Sequence, residues 1–165
     1  VLDTVGLRVG LKWPNDLIIE DRKVGGILTE LLIEEGQAVV ILGLGLNVNA
    51  TVENFPPELH PIATSMAIET GETHDLDWLA QRLAGTLRAK LAAFEVRGKP
   101  DLKAYEMRNI LRDEAIEYEA ADGRRPGVVQ GIDESGALLV TDLIDGHTVT
   151  VRSGEVTSHD PEEGE

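Results

Sequence analysis

Four runs of aliphatic residues, separated by short polar turns, occupy residues 8–49. The runs are "RVGLKW", "DLIIE", "KVGGILTELLIEE" and "AVVILGLGLNVN", with "DR" and "EEGQ" marking two of the turns. Strands joined by connections this short must run antiparallel, so the pattern predicts a β-meander. Residues 51–61 hold Pro56, Pro57 and Pro61 and read as loop. "TSMAIETG" predicts a short helix, with Thr64 or Ser65 as its cap and Gly71 at its end. From Leu76 the apolar positions are Leu76, Leu79, Leu83, Leu87, Leu91 and Phe94. Steps of three and four predict an amphipathic helix with an Asp75 or Asp77 cap, stopped by Gly98 and Pro100. "PDLKAYEMRNIL" predicts one more helix.

Beyond Arg112 the period changes. "AIEYEA", "PGVVQGID", "ALLVTD" and "HTVTVRSGEV" are short strands at regular spacing, with turns at "ADGRR", "DESG" and "IDG". This reads as a small SH3-like β-barrel or ribbon. The expected domains are therefore 1–113 and 114–158, followed by an acidic tail at 159–165.

Composition narrows the function classes. A chain of 165 residues can bury a core without staples. It has no cysteine, which excludes disulfides and thiolate metal sites, and its four histidines lack ligand spacing. Apolar runs fall far short of the roughly 18 to 20 residues that span a bilayer, and no signal-peptide pattern opens the chain. The expected compartment is the cytoplasm, with no membrane partner. The net charge of −15 argues against a nucleic-acid surface in this region. It also exceeds the roughly 2 to 8 charges of an ordinary soluble domain, which favours adaptation to high salt over a merely acidic surface. The first residue is Val, not Met, so a trimmed chain or a piece of a longer protein is expected.

The candidate chemistry lies in the meander. On "VVILGLGLNVN" period-two alternation puts Leu42, Leu44, Leu46 and Val48 on a core face. Gly43, Gly45, Asn47 and Asn49 share the other. A bare strand face ending in amides suits a flat ligand with a purine-like edge, or else the close packing of a helix. In "KVGG", Gly25 and Gly26 clear both faces and mark a bulge or a close approach. Lys23 just before them is either a solvated charge or a cation reaching a phosphate or activated acyl group. In "KWPND", Pro14 interrupts ladder pairing and Trp13 anchors the turn. Lys12, Asn15 and Asp16 then sit on a rigid platform, or in a plain polar turn. No Walker-type phosphate loop and no nucleophile elbow is present.

"KWPNDL", "RKVGGILTE" and "GLGLNVN", in that order and spacing, strongly resemble the catalytic domain of biotin protein ligases. "ATSMAIETG" is similar to the family's helix after its proline-rich loop. "GIDESGALLVTD…VRSGEV" is similar to its small C-terminal barrel. The resemblance implies an α+β fold: a mixed, largely antiparallel sheet with flanking helices, like class II synthetases, plus the SH3-like module. It implies ATP-dependent attachment of biotin, through biotinyl-5′-AMP, to a lysine of a biotin carboxyl carrier protein or domain. The implied ligands are ATP, Mg²⁺ and biotin, and a homodimer is a further expectation. Lys23 matches the catalytic lysine at the biotin carboxylate and α-phosphate, Asp16 the reaction-centre carboxylate and Lys12 the phosphate-side lysine. Asn15, Gly25, Gly26, Leu28, Gly43, Gly45 and Asn47 match substrate-binding positions, and Asp16 is also the candidate Mg²⁺ ligand. The family's Gly-Arg-Gly-Arg loop upstream of "KWPND" has no counterpart in this sequence. The chain is therefore expected to be the C-terminal part of such a ligase. The alternatives are a lipoate ligase-like acyl-adenylate transferase and a non-catalytic binding module.

Overall fold

A computed structural model describes residues 1–158; the acidic tail expected at 159–165 lies outside the described residues. The chain forms two compact units. One comprises Val1–Gly10 and Asn15–Val96, the other Leu11–Pro14 and the chain from Arg97 onward.

The first unit is built on β2 (Asp16–Ile19), β3 (Arg22–Glu34) and β4 (Gln37–Leu46), each antiparallel to its neighbour, with β4 at the sheet edge. Both hairpin turns are two residues long. Glu20 and Asp21 link β2 to β3, and Glu35 and Gly36 link β3 to β4, all at positive φ. That is the backbone of a type I′ turn, whose twist matches that of the flanking strands. The first turn thus sits one residue earlier than the "DR" expected from sequence.

A short helix, α1 (Met66–Thr70), is capped by Ser65, whose Oγ accepts from the Ile68 N–H at 3.1 Å, and ends at left-handed Gly71. The long helix α2 (Leu76–Arg97) starts at Asp75, whose Oδ1 accepts from the Trp78 N–H at 3.0 Å. Leu7, Ile19, Val24, Met66 and Leu79 form the core, with Leu17, Leu46, Val48 and Leu83 packed on it.

This core closes only the base of the hairpin. Of the expected core face of β4, Leu46 and Val48 are covered, while Leu42 and Leu44 are exposed. Farther out, Leu31, Leu32, Ile33, Val39 and Val40 are exposed on both faces, Ile33 by 72%. The stripe on α2 behaves alike: Leu79 is buried and Leu83 packs on the core, but Leu76, Leu87, Leu91 and Phe94 are exposed. The physical reason is reach. A strand advances about 3.3 Å per residue, and the distal hairpin outruns the helices that pack at its base.

In the second unit, Leu11 of β1 (Gly10–Lys12) makes a parallel bridge to Asn109. The Leu11 N–H donates to the Arg108 carbonyl at 2.7 Å, and the Ile110 N–H donates to the Leu11 carbonyl at 3.1 Å. The bridge explains why α3 (Leu102–Glu106) is shorter than the helix expected through Leu111: residues 108–110 are drawn out to pair with Leu11.

The strands β5 (Ala115–Ala120), β6 (Gly123–Ile132), β7 (Leu138–Asp142), β8 (Thr148–Val151) and β9 (Thr157–Ser158) form an antiparallel sheet ordered β8-β7-β6-β5-β9. β6 begins within the expected "ADGRR" turn. Among the described residues the sheet has two edges, so the expected small barrel is not closed by hydrogen bonds there. Trp13 lies in this unit's core with Ile116, Tyr118, Val129, Leu138 and Val140, and its Nε1 donates to the Gly136 carbonyl at 3.0 Å. Asp142 is also buried there. It accepts from the Tyr118 hydroxyl, and its Oδ2 lies 2.7 Å from Arg125 Nε.

Candidate functional site

The β2–β3 ladder is irregular where the site forms. Asp16 pairs with Gly26 and Leu17 with Gly25, but Ile18 then pairs with Lys23, which leaves Val24 as an extra residue. This is a β-bulge, and it shifts the alternation of β3 by one position. In a regular strand Lys23 and Gly26, three apart, would point to opposite faces. Here they meet. A Cβ placed on Gly26 would lie 3.3 Å from Asp16 Oδ1 and 3.7 Å from Lys23 Cε. Val24 meanwhile turns fully into the core.

The two adjacent glycines serve different ends. A Cβ on Gly25 would lie 2.3 Å from the Gly45 carbonyl oxygen and 3.2 Å from Leu46 Cδ1. Its missing side chain is accounted for by the close approach of β4 on the core side. Gly26 instead opens the polar face beside Lys23 and Asp16. Across the sheet Asp16, Gly26 and Gly45 stand in one row, and Leu28 pairs with Gly43 two positions along on the same face. A Cβ on Gly43 or Gly45 would meet only a backbone oxygen, at 3.8 or 3.9 Å. No helix closes on these glycines among the described residues, so the sequence alternative of helix packing is not what the structure has. A cleared strip remains beside an ion pair.

That pair is Lys23 Nζ to Asp16 Oδ1 at 2.5 Å, with the lysine side chain 51% exposed. A pair this open to water adds little stability. Its significance is directional: an ammonium has three donors, and the carboxylate holds it over the cleared strip with one of them. Asn15 closes the end of the ladder. Its carbonyl accepts from the Ile27 N–H at 3.0 Å, and its Nδ2 donates to the Ile27 carbonyl at 2.5 Å.

Asn47 lies just past β4, where its N–H donates to the Val24 carbonyl at 2.8 Å and its Nδ2 donates to the Thr64 carbonyl at 3.0 Å. Asn49 exchanges two hydrogen bonds with the His74 backbone, both at 2.9 Å. Both amides therefore anchor loops, a use that the strand pattern did not reveal. Lys12 falls in the second unit with Trp13, whose peptide bond to Pro14 is cis.

The structure adds residues that sequence reasoning passed over. Arg22 Nη2 donates to Glu69 Oε1 at 2.8 Å, and the Thr64 hydroxyl donates to the same oxygen at 2.5 Å. These three lie on a strand, a loop and a helix, so no local spacing links them. Among the described residues no group of three or more His, Asp or Glu side chains is placed to hold a metal ion. A cleft of about 590 Å³ lies in the second unit, lined by residues that include Tyr118, Arg125, Val149 and Arg152, and contains none of the expected site residues.

Residues 5–47 match the biotin/lipoate A/B protein ligase family. The chain is 33% identical over 137 residues to the bifunctional ligase/repressor BirA of Bacillus spizizenii, covering 82% of this chain and 42% of that protein. It is 34% identical over 149 residues to the biotin–[acetyl-CoA-carboxylase] ligase of Mycobacterium tuberculosis, covering 89% and 52%. The fold matches a biotin protein ligase from Aquifex aeolicus, solved with biotin and ATP, at a TM-score of 0.77 and 24% identity, over 94% of this chain and 63% of that one. The chain spans less than half the length of the first curated relatives it matches, 42% and 43%. Over most of its own length the chain is similar in sequence to biotin protein ligases, and it shares their fold.

Proposed function

We propose that this chain carries the acyl-adenylate face of a biotin ligase, one that attaches biotin to a lysine of a biotin carboxyl carrier protein or domain. The observation that carries the reading is the placement of Lys23 over the strip cleared by Gly26, Gly45 and Gly43. In the first step the biotin carboxylate attacks the α-phosphorus of ATP. The acyl–phosphate bond forms, and the bond to pyrophosphate breaks. As the bond forms, negative charge leaves the carboxylate and passes across the α-phosphoryl group to the departing pyrophosphate, and a fixed ammonium beside the α-phosphate lowers the energy of that transfer. In the second step the neutral amine of the carrier lysine attacks the acyl carbon, AMP leaves with the bonding pair, and the nitrogen gives up its proton to solvent as the amide forms.

The chain's own residues have separable tasks. Lys23 supplies charge, Asp16 holds the ammonium on the working face, and Gly26 leaves room for the ligand. Asn15 fixes the end of the β2–β3 ladder, and Asn47, just beyond β4, serves the nucleotide end of the floor. Magnesium enters with ATP as part of the substrate, and Asp16, paired with Lys23, is the carboxylate that would meet it.

The deciding experiment is biotin-dependent exchange of labelled pyrophosphate into ATP. Exchange that requires biotin supports the reading. Exchange that requires lipoate instead supports the related acyl-adenylate transferase. Absence of exchange with either acid, in the longest natural form of the protein, rejects adenylation.

A further inference from the structure

Thr64 is fully buried, and each of its polar groups is bonded to a different element. Its N–H donates to the Lys23 carbonyl at 2.9 Å. Its carbonyl accepts from Asn47 Nδ2 at 3.0 Å. Its hydroxyl donates to Glu69 Oε1 on α1 at 2.5 Å. The same carboxylate oxygen accepts from Arg22, the chain neighbour of Lys23, at 2.8 Å. The Lys23 N–H donates to the Ile62 carbonyl at 2.8 Å. One loop therefore holds Lys23 by both its backbone groups and Asn47 by its side chain.

The loop is pinned at its far end as well. The Ser65 hydroxyl donates to the Ala50 carbonyl at 2.5 Å while capping α1, and the Met66 N–H donates to the Asn47 carbonyl at 2.9 Å. The Glu69 side chain is only 8% exposed. A carboxylate so buried needs its partners, and here they are the Thr64 hydroxyl and the Arg22 guanidinium. Hydrogen bonds kept from water are stronger and hold their geometry more tightly than exposed ones.

We infer that Thr64, backed by Glu69 and Arg22, is a positioning unit that sets the separation between Lys23 and Asn47. On the function proposed above, on which this inference rests, these two residues serve the acyl–phosphate end and the nucleotide end of one adenylate. Thr64 has no exposed surface with which to touch that ligand, so its action passes through the two residues it holds. A strand ladder alone would leave both free to shift, because Lys23 sits at a bulge and Asn47 lies beyond the last residue of β4. The loop supplies what the ladder lacks at that point.

The test compares Thr64→Val, which keeps the shape and removes the hydroxyl, with Thr64→Ser, which restores it. Glu69→Gln, which removes the charge, serves as a second variant should Thr64→Val fail to fold. Amide hydrogen exchange of the full chain by NMR is the first readout. Exchange at Lys23, Thr64 and Met66 is expected to quicken by about tenfold or more in Thr64→Val, with Glu30 and Ile41 on the outer ladder unchanged. Biotin-dependent pyrophosphate exchange is the second readout. There kcat is expected to fall about 10- to 100-fold, with KM for ATP and biotin within about threefold, and Thr64→Ser restores both readouts. Unchanged protection at Lys23 and Met66, or a folded Thr64→Val with full kcat, overturns the inference. A wild-type chain without exchange activity counts against the proposed function, while the amide readout still decides whether this unit holds Lys23 and Asn47 together.

Discussion

Lys23 and Gly26 face the same side of β3 although they are three residues apart, because Val24 between them is carried as a bulge. The bulge reconciles two demands on one short segment. A buried valine is needed for the core, and a lysine and a glycine are needed together on the open face. An even alternation satisfies only one of these, and the bulged strand satisfies both.

Removing the ammonium should disable adenylation without unfolding the chain. Lys23→Ala is expected to lower biotin-dependent pyrophosphate exchange by about 10²- to 10³-fold, the usual effect of losing one donor to developing charge. Its melting temperature should stay near the wild-type value, since the exposed pair with Asp16 adds little stability. Near-normal exchange would remove Lys23 from the reaction.

The two glycines should separate by phenotype. At Gly25 an alanine methyl would lie 2.3 Å from a backbone oxygen, so Gly25→Ala should cost about 1 to 3 kcal/mol as strands are forced apart. At Gly26 the nearest atom belongs to the Asp16 side chain, which can yield by a few tenths of an ångström. Gly26→Ala should keep its stability and lose affinity for the biotin and adenylate ligands. Urea unfolding and calorimetric binding, run on both variants, decide it; equal stability losses would contradict the division of roles.

Much of this arrangement is legible in the sequence. The meander, a cap at Thr64 or Ser65, a cap at Asp75 or Asp77 and the polar run around Asp16 and Lys23 follow from local pattern; the structure selects Ser65 and Asp75. The glycines of "KVGG" mark a bulge or a close approach, but nothing there says that Val24 is the residue without a partner; that is set by where the short β2–β3 turn fixes the register. Nor does the use of Asn47 and Asn49 as loop anchors follow, since their partners lie 17 and 25 residues away. On the α2 stripe and the β4 face, periodicity records that a face is apolar and carries no information on how far the covering elements extend.

Acid should loosen the second unit through Asp142. The Tyr118 hydroxyl, then the backbone N–H groups of Asp145 and Ile144 and the Arg125 guanidinium, hold its carboxyl down to about 2 against the opposing effect of burial. In the unfolded chain the value returns to about 3.9. The folded value is the lower one, so the stabilisation is present above about pH 4 and is lost as pH falls through about 2. Asp142→Asn should therefore melt below wild type at pH 7, and the gap should narrow between pH 4 and pH 2. A gap of constant size would mean that the ionised carboxylate is not its source. At the other extreme, burial and the bond to Asp142 push Tyr118 up to about 12, so its contribution holds through neutral pH and fades only above pH 10.

Salt should stabilise the fold. With a net charge of −15 the chain repels itself, and raising KCl from 0.1 to 1 M shortens the screening length from about 10 to about 3 Å. The melting temperature, measured by circular dichroism on dilute protein, is expected to rise across this range. A flat or falling response would leave an ordinary acidic surface with no adaptation to salt.

β4 runs along the edge of its sheet, and from Ala38 to Leu46 it carries neither a charged residue nor a proline. Unprotected edges of this kind invite pairing between molecules, and the acidity spread over the rest of the chain is what opposes it. The electrolyte that relieves repulsion inside one chain also shortens its reach between chains. Dispersion and folding therefore respond to salt in opposite directions. The interval in which the chain is both folded and monomeric has an upper bound in ionic strength, and that bound moves down as the protein is concentrated.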